Sequence, residues 1–149
     1  SQLMLNPLVF NLIIEKGSKD ELFELRVLLE VDAVELAIKK ATADDFKLLA
    51  AELDEFEKNI SDGNLELLAD LDFRFHLRLL QISNNSPFIR ISQLIMQLYE
   101  SPIKEALKMI GPHQVLKNHR ALYEAILERD LLKAKEHIVR AFEISKQFL

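Results

Sequence analysis

Cysteine is absent from the 149 residues. That excludes disulfide scaffolds, cysteine-ligated zinc ribbons and thiol catalysis. No run of roughly 18 apolar residues is present to cross a membrane, and the N-terminus lacks the basic, apolar and small-residue order of a signal peptide. A soluble, cytoplasmic protein with no membrane partner is therefore expected. Neither an internal repeat nor a low-complexity tract is found. The formal charge is −5, and lysine and arginine are dispersed among the acids. No basic stripe is concentrated enough to track a phosphate backbone, so this segment is not expected to touch nucleic acid itself. With 49% of its residues hydrophobic, the chain can build one domain with a substantial core but not two comfortable ones.

Glycine and proline are also scarce, three and four residues respectively, and nearly all fall between runs of 3.6-residue periodicity. That pattern predicts an all-α bundle of six to seven helices. The first main helix is expected from about Asp20 to Ala41. Thr42 opens a second, with Asp45 three residues on as its capping-box partner, and it stops near Asp62-Gly63. A third covers about Leu65 to Ile82 and breaks at Ser83-Asn84-Asn85-Ser86-Pro87. The fourth runs from Pro87 to about Met109 and should kink or split at Pro102. Gly111-Pro112 separates it from the fifth, and Asp130 caps the sixth. Residues 1–19 are apolar but poorly delimited and read as a linker or short helical arm; residues 20–149 form the helical domain.

Four polar side chains fall where these helices should be most apolar. With 100° per residue, Leu65, Leu68, Phe75, His76 and Leu79 lie within about 60° of Asp72. Asp72 and His76 thus sit mid-stripe on the core face. His119 shares its face with Val115, Leu116, Leu122 and Ile126, whereas His113 falls on a polar face. Arg26 is flanked by Leu22, Leu29, Glu30, Ala33 and Ala37, and the two alanines leave space beside the guanidinium.

Buried charge and imidazole are costly unless paired or metal-bound. An Asp and a His at i and i+4 place two donors one turn apart on one face, suited to two cis ligands, and His119 from another helix would make a third. The same spacing also suits an Asp–His pair that satisfies itself inside the core. A carboxylate with two imidazoles accommodates Zn, Ni, Mn or Fe. Arg26 fits either a salt bridge with Glu30 or a bidentate clamp on a ligand carboxylate or phosphate. No catalytic set is evident. The residues three before the four histidines are Phe73, Ile110, Leu116 and Ala134, so the Glu-x-x-His of di-iron bundles is missing, as are a Gly-rich phosphate loop and a plausible nucleophile.

The segments ELFELRVLLEVDAVELA, DLDFRFHLRLLQISNN and NHRALYEAILERDLLKAKEHIVRA, in this order, resemble the C-terminal effector-binding (FCD) domain of GntR-family transcription regulators of the FadR type. The resemblance spans about Asp20 to Phe148. It implies an antiparallel bundle that homodimerises around a central pocket. Many members of that family bind a divalent metal through one Asp and three His, with a small carboxylate effector at or beside it. Carried over, the ligands fall on Asp72, His76 and His119. The third family histidine falls on Ala141, and His137 lies one turn earlier, about 6 Å along the axis. The resemblance therefore implies a three-ligand site completed by water or effector, recruitment of His137, or a metal-free acyl-type pocket or degenerate dimerisation module. The family's effector-contacting arginine and asparagine fall on Arg26 and Asn85, although Asn85 also suits a helix cap. DNA would be bound only through an N-terminal winged-helix domain that this chain does not contain, and the chain reads as an effector domain separated from it.

Overall fold

The structure, a computed structural model, describes residues 19–97 and 100–147 together with Pro7 and Glu15; the expected arm thus lies almost wholly outside the described residues. Seven α-helices occupy the described part: α1 (Lys19–Lys40), α2 (Ala43–Asn59), α3 (Leu65–Ile82), α4 (Ser86–Met96), α5 (Glu100–Ile110), α6 (Pro112–Leu127) and α7 (Leu131–Lys146), with a 3-10 turn at Ile60–Asp62. No strand is found among the described residues.

Local chemistry accounts for most of the boundaries. Thr42 and Asp45 form the expected reciprocal capping box ahead of α2. Asn64, Asn85 and Asp130 each accept a hydrogen bond from the backbone N–H three residues on, opening α3, α4 and α7 and so satisfying donors that the helix leaves unpaired. Gly63, at φ 64°, turns the chain through the left-handed region after the 3-10 turn, where a Cβ would be strained. The expected long fourth helix is two helices, α4 and α5. The break precedes Pro102, which occupies the first turn of α5, where its missing N–H costs no helical hydrogen bond.

The core forms where α3 packs against α1, α2 and α5, and α6 against α2, α5 and α7; α1 also packs along α7. Val34, Leu49, Leu53, Phe75, Leu79 and Ile126 are sealed from solvent at its centre. Glu52 of α2 is buried, and Arg74 and Arg78 of α3 reach it at 3.3 and 3.1 Å. This pairs a carboxylate that would otherwise be costly to bury. Lys40 donates to the carbonyl of Ser83 at 2.7 Å, joining the end of α1 to the end of α3.

Arg129 makes the corresponding join between α6 and α1. Its backbone adopts φ 58°, a conformation uncommon for a side chain with a Cβ. From there the guanidinium donates to the carbonyls of Ile38 and Ala41 and lies 5.6 Å from the Phe46 ring centroid. A cation thus meets the negative end of α1. Replacing Arg129 with alanine should lower the unfolding free energy by about 1–2 kcal/mol, since charge-assisted bonds are lost at a partly exposed site. Glycine there should cost less than alanine because it relieves the left-handed backbone. Urea titration of the three proteins checks both the sign and the order.

Candidate metal centre and its cavity

Helix α3 presents Asp72 and His76 one turn apart, and the neighbouring Leu71, Phe75 and Leu79 are buried around them. Helix α6 delivers His119 from across the bundle, where Phe75 stacks on its ring at 4.9 Å and 26°. The two imidazoles converge on one atom. His76 Nε2 lies 3.0 Å and His119 Nε2 2.9 Å from Asp72 Oδ1, with the rings nearly perpendicular at 84°. One ligand atom from each of the three residues fits within 4.8 Å of the others.

These separations suit a metal. Donors about 2.1 Å from an ion stand ~3.0 Å apart when cis in an octahedron and ~3.4 Å apart in a tetrahedron. The outer nitrogen of His76 also faces a carboxylate: Nδ1 lies 3.1 Å from Glu30 Oε1 on α1. A carboxylate on the far nitrogen orients a ligating imidazole and directs Nε2 inward. The donor set, its convergence and this outer carboxylate all fit a divalent cation.

The same contacts set the electrostatics of the site when no cation is bound. Burial works against the charge on Asp72, but His119 and then His76 outweigh it and hold the carboxyl far below its usual range. Burial likewise disfavours a charged His76. Glu30 and Asp72 overcome that and raise its pKa to about 10. Glu30 is lowered against its own burial by His76, with Arg26 contributing.

The triad opens into a cavity of about 540 Å³ between α1, α5, α6 and α7. Arg26 lines it beside Glu30, with its guanidinium 4.5 Å from the Phe142 ring centroid. His137 and Ala141 both face this cavity from α7, yet the grouping of potential ligands among the described residues contains Asp72, His76 and His119 without His137. Asn85 stands apart: it is exposed, caps α4 through Phe88 N–H at 3.1 Å and contributes nothing to the cavity wall. His113 is exposed, as its polar helix face implies.

The sequence pattern of the FCD domain family matches residues 21–143. The chain belongs to the FCD domain family. Two curated Bacillus subtilis (strain 168) relatives of this FCD domain are each 28% identical to it. They are the uncharacterized HTH-type transcriptional regulator YdhC, over 127 residues, and the HTH-type transcriptional regulator LutR, over 126. These matches cover 83% and 80% of the chain but only 56% and 57% of the relatives, so the chain spans little more than half their length. Among solved structures, E. coli McbR/YncC superposes with a TM-score of 0.69 at 22% identity, covering 86% of this chain and 67% of its own. Streptococcus agalactiae GntR gives 0.71 at 23%, covering 97% and 62%. At such identities the likeness is one of fold.

Within this FCD domain the residue that sequence reasoning undervalued is Glu30, weighed only as a partner for Arg26. Its register on α1 places it on the same face as Arg26, but contact with His76 depends on how α1 and α3 cross. Linkage then gives a pH profile for the metal-free protein. Asp72 and Glu30 titrate below their ordinary values of 3.8 and 4.5, so their contribution is complete above those values and lost as pH falls below them. His76 rises from 6.5 to about 10, so its contribution is complete below about 6.5 and lost as pH climbs through 10. In chelator-treated protein, stability should therefore peak between about pH 4.5 and 6.5, and Glu30→Gln should flatten the alkaline decline. Urea unfolding from pH 3 to 10 measures both limbs; an unchanged alkaline limb in the variant would refute the Glu30–His76 coupling.

Proposed function

We propose that this domain is the ligand-sensing part of a GntR-type transcription regulator, with a divalent metal held by Asp72, His76 and His119 and a small carboxylate effector bound beside it. The observation that carries this reading is the convergence of two imidazole Nε2 atoms on one buried carboxylate oxygen at the wall of a cavity that Arg26 also lines. Family membership and the relatives' description as HTH-type transcriptional regulators support the regulatory role. The lack of a catalytic set in the sequence argues against an enzyme.

Zn, Ni, Mn and Fe all accept one carboxylate and two imidazoles. When bound, such an ion supplies a fixed positive charge for an anionic oxygen. Ala141 has no donor to offer, so three protein ligands leave the remaining coordination positions to water or the effector. Arg26, steadied against Phe142, provides a fork of donors for the second carboxylate oxygen. The effector's charge is thereby neutralised in a wall that is otherwise mostly apolar.

Regulation follows if the effector binds two helix arrangements with different affinity. Its contacts reach α1, α3, α6 and α7 at once, so occupancy favours one packing of those helices. In a homodimer that packing would set how the DNA-binding domains of the whole regulator are presented. A second reading, a metal-free pocket, draws on Glu30: His76 lies between two carboxylates at 3.0 and 3.1 Å, whose charges offset its own without an ion.

Metal analysis separates the two. Protein purified without chelator should carry about one equivalent of metal per chain, and His76→Ala less than a tenth of that. A wild-type protein that takes up no Zn, Ni, Mn or Fe supports the metal-free pocket. Arg26→Ala should weaken carboxylate binding ten- to hundredfold, about 1.5–3 kcal/mol for charged hydrogen bonds, while the domain stays folded by circular dichroism. Equal affinity in the variant would remove Arg26 from the site.

A further inference from the structure

The cavity wall beyond the triad selects among acids. Its body is built from Ile103 and Ile110 of α5 and from Ile138, Phe142 and Ile144 of α7. The polar groups interspersed among them are largely engaged already. Ser145 Oγ donates to the carbonyl of Ala141 at 3.0 Å, and Gln114 Nε2 donates to Asn118 Oδ1 at 2.9 Å. Glu30 is held against His76. Lys117 and Arg140 are solvent-exposed, so half-buried His137 and the remaining capacity of Gln114, Asn118 and Ser145 are the partners this wall offers a polar group on the ligand.

A polyhydroxy acid needs a hydrogen bond for each hydroxyl it loses from water, and each unmatched one costs on the order of tenfold in affinity. His137 with what remains of Gln114, Asn118 and Ser145 matches only part of the hydroxyls of such an acid, since these groups already bond one another or the backbone. An apolar body instead gains from every methylene placed against these isoleucines. The volume, about 540 Å³, lies within the roughly 300–1,000 Å³ of small-molecule sites. It therefore has room for a body well beyond a carboxylate head.

Resting on the metal-and-arginine reading of the head-group site, we propose that the effector class is a monocarboxylate with an apolar body of several carbons rather than a sugar acid. The carboxylate sits at the triad and Arg26, and the hydrocarbon lies between α5 and α7. Ile110 and Ile144, both half-buried, discriminate against hydroxylated chains.

The test uses Zn²⁺-loaded full chain in calorimetric titrations with butanoate, pentanoate, hexanoate and gluconate, with metal content measured after each run. Affinity should rise about fourfold per added methylene, the factor expected from ~0.8 kcal/mol per buried CH₂. Hexanoate should bind at least tenfold tighter than gluconate, and Ile144→Ser should shrink that ratio. Gluconate binding as tightly as hexanoate, or no trend with chain length, overturns the apolar-body assignment and leaves the head-group site intact. Hexanoate affinity unchanged in both His76→Ala and Arg26→Ala, or no binding of any of the four acids, overturns the head-group reading as well.

Discussion

A buried carboxylate between two imidazoles is the constraint on which the rest of this domain turns. Asp72 is almost sealed from solvent, and an unpaired carboxylate there would be costly. Its two partners come from different helices, so neutralising Asp72 ties α3 to α6. Through Glu30 and His76 the same chain of contacts reaches α1. A candidate metal site and a structural tie between three helices are thus one set of atoms, and anything that changes the charge at Asp72 bears on how those helices pack.

That arrangement is what the proposed sensing role would draw on. Elsewhere the helices are joined by fixed devices away from the cavity: Arg129 on the end of α1, Lys40 on the end of α3, and Glu52 between two arginines. These hold the frame. The face where α5 and α7 meet the triad is by contrast hollow, and a ligand bound there, as proposed, would replace contacts that a solid core would have made among its own side chains. On that proposal, binding energy would go into the relative placement of α1, α3, α6 and α7 while the frame stays folded.

Much of this was legible in one dimension because helix geometry is local. Asp72 and His76 at i and i+4, and His119 among Val115, Leu116, Leu122 and Ile126, had to face inward if the helices formed at all. The capping box at Thr42 and the caps at Asn85 and Asp130 were readable for the same reason. The long fourth helix splits ahead of Pro102 rather than at it, because proline fits the first turn of a helix and here lies in the first turn of α5. Asn85 was readable as a cap, and its exposure follows from that role.

Residue types and periodicity determined by themselves that the chain is all-helical, which faces are buried, and that one acid and two imidazoles lie on those faces. Only the tertiary structure decided that both imidazoles meet the same oxygen of Asp72, that Glu30 closes the far side of His76, and that His137 shares the cavity without joining the ligand group. The reason is physical. Which side chains share a helix face depends on 100° steps along one backbone, but distances between helices depend on crossing angles and offsets set by the packing of the whole core.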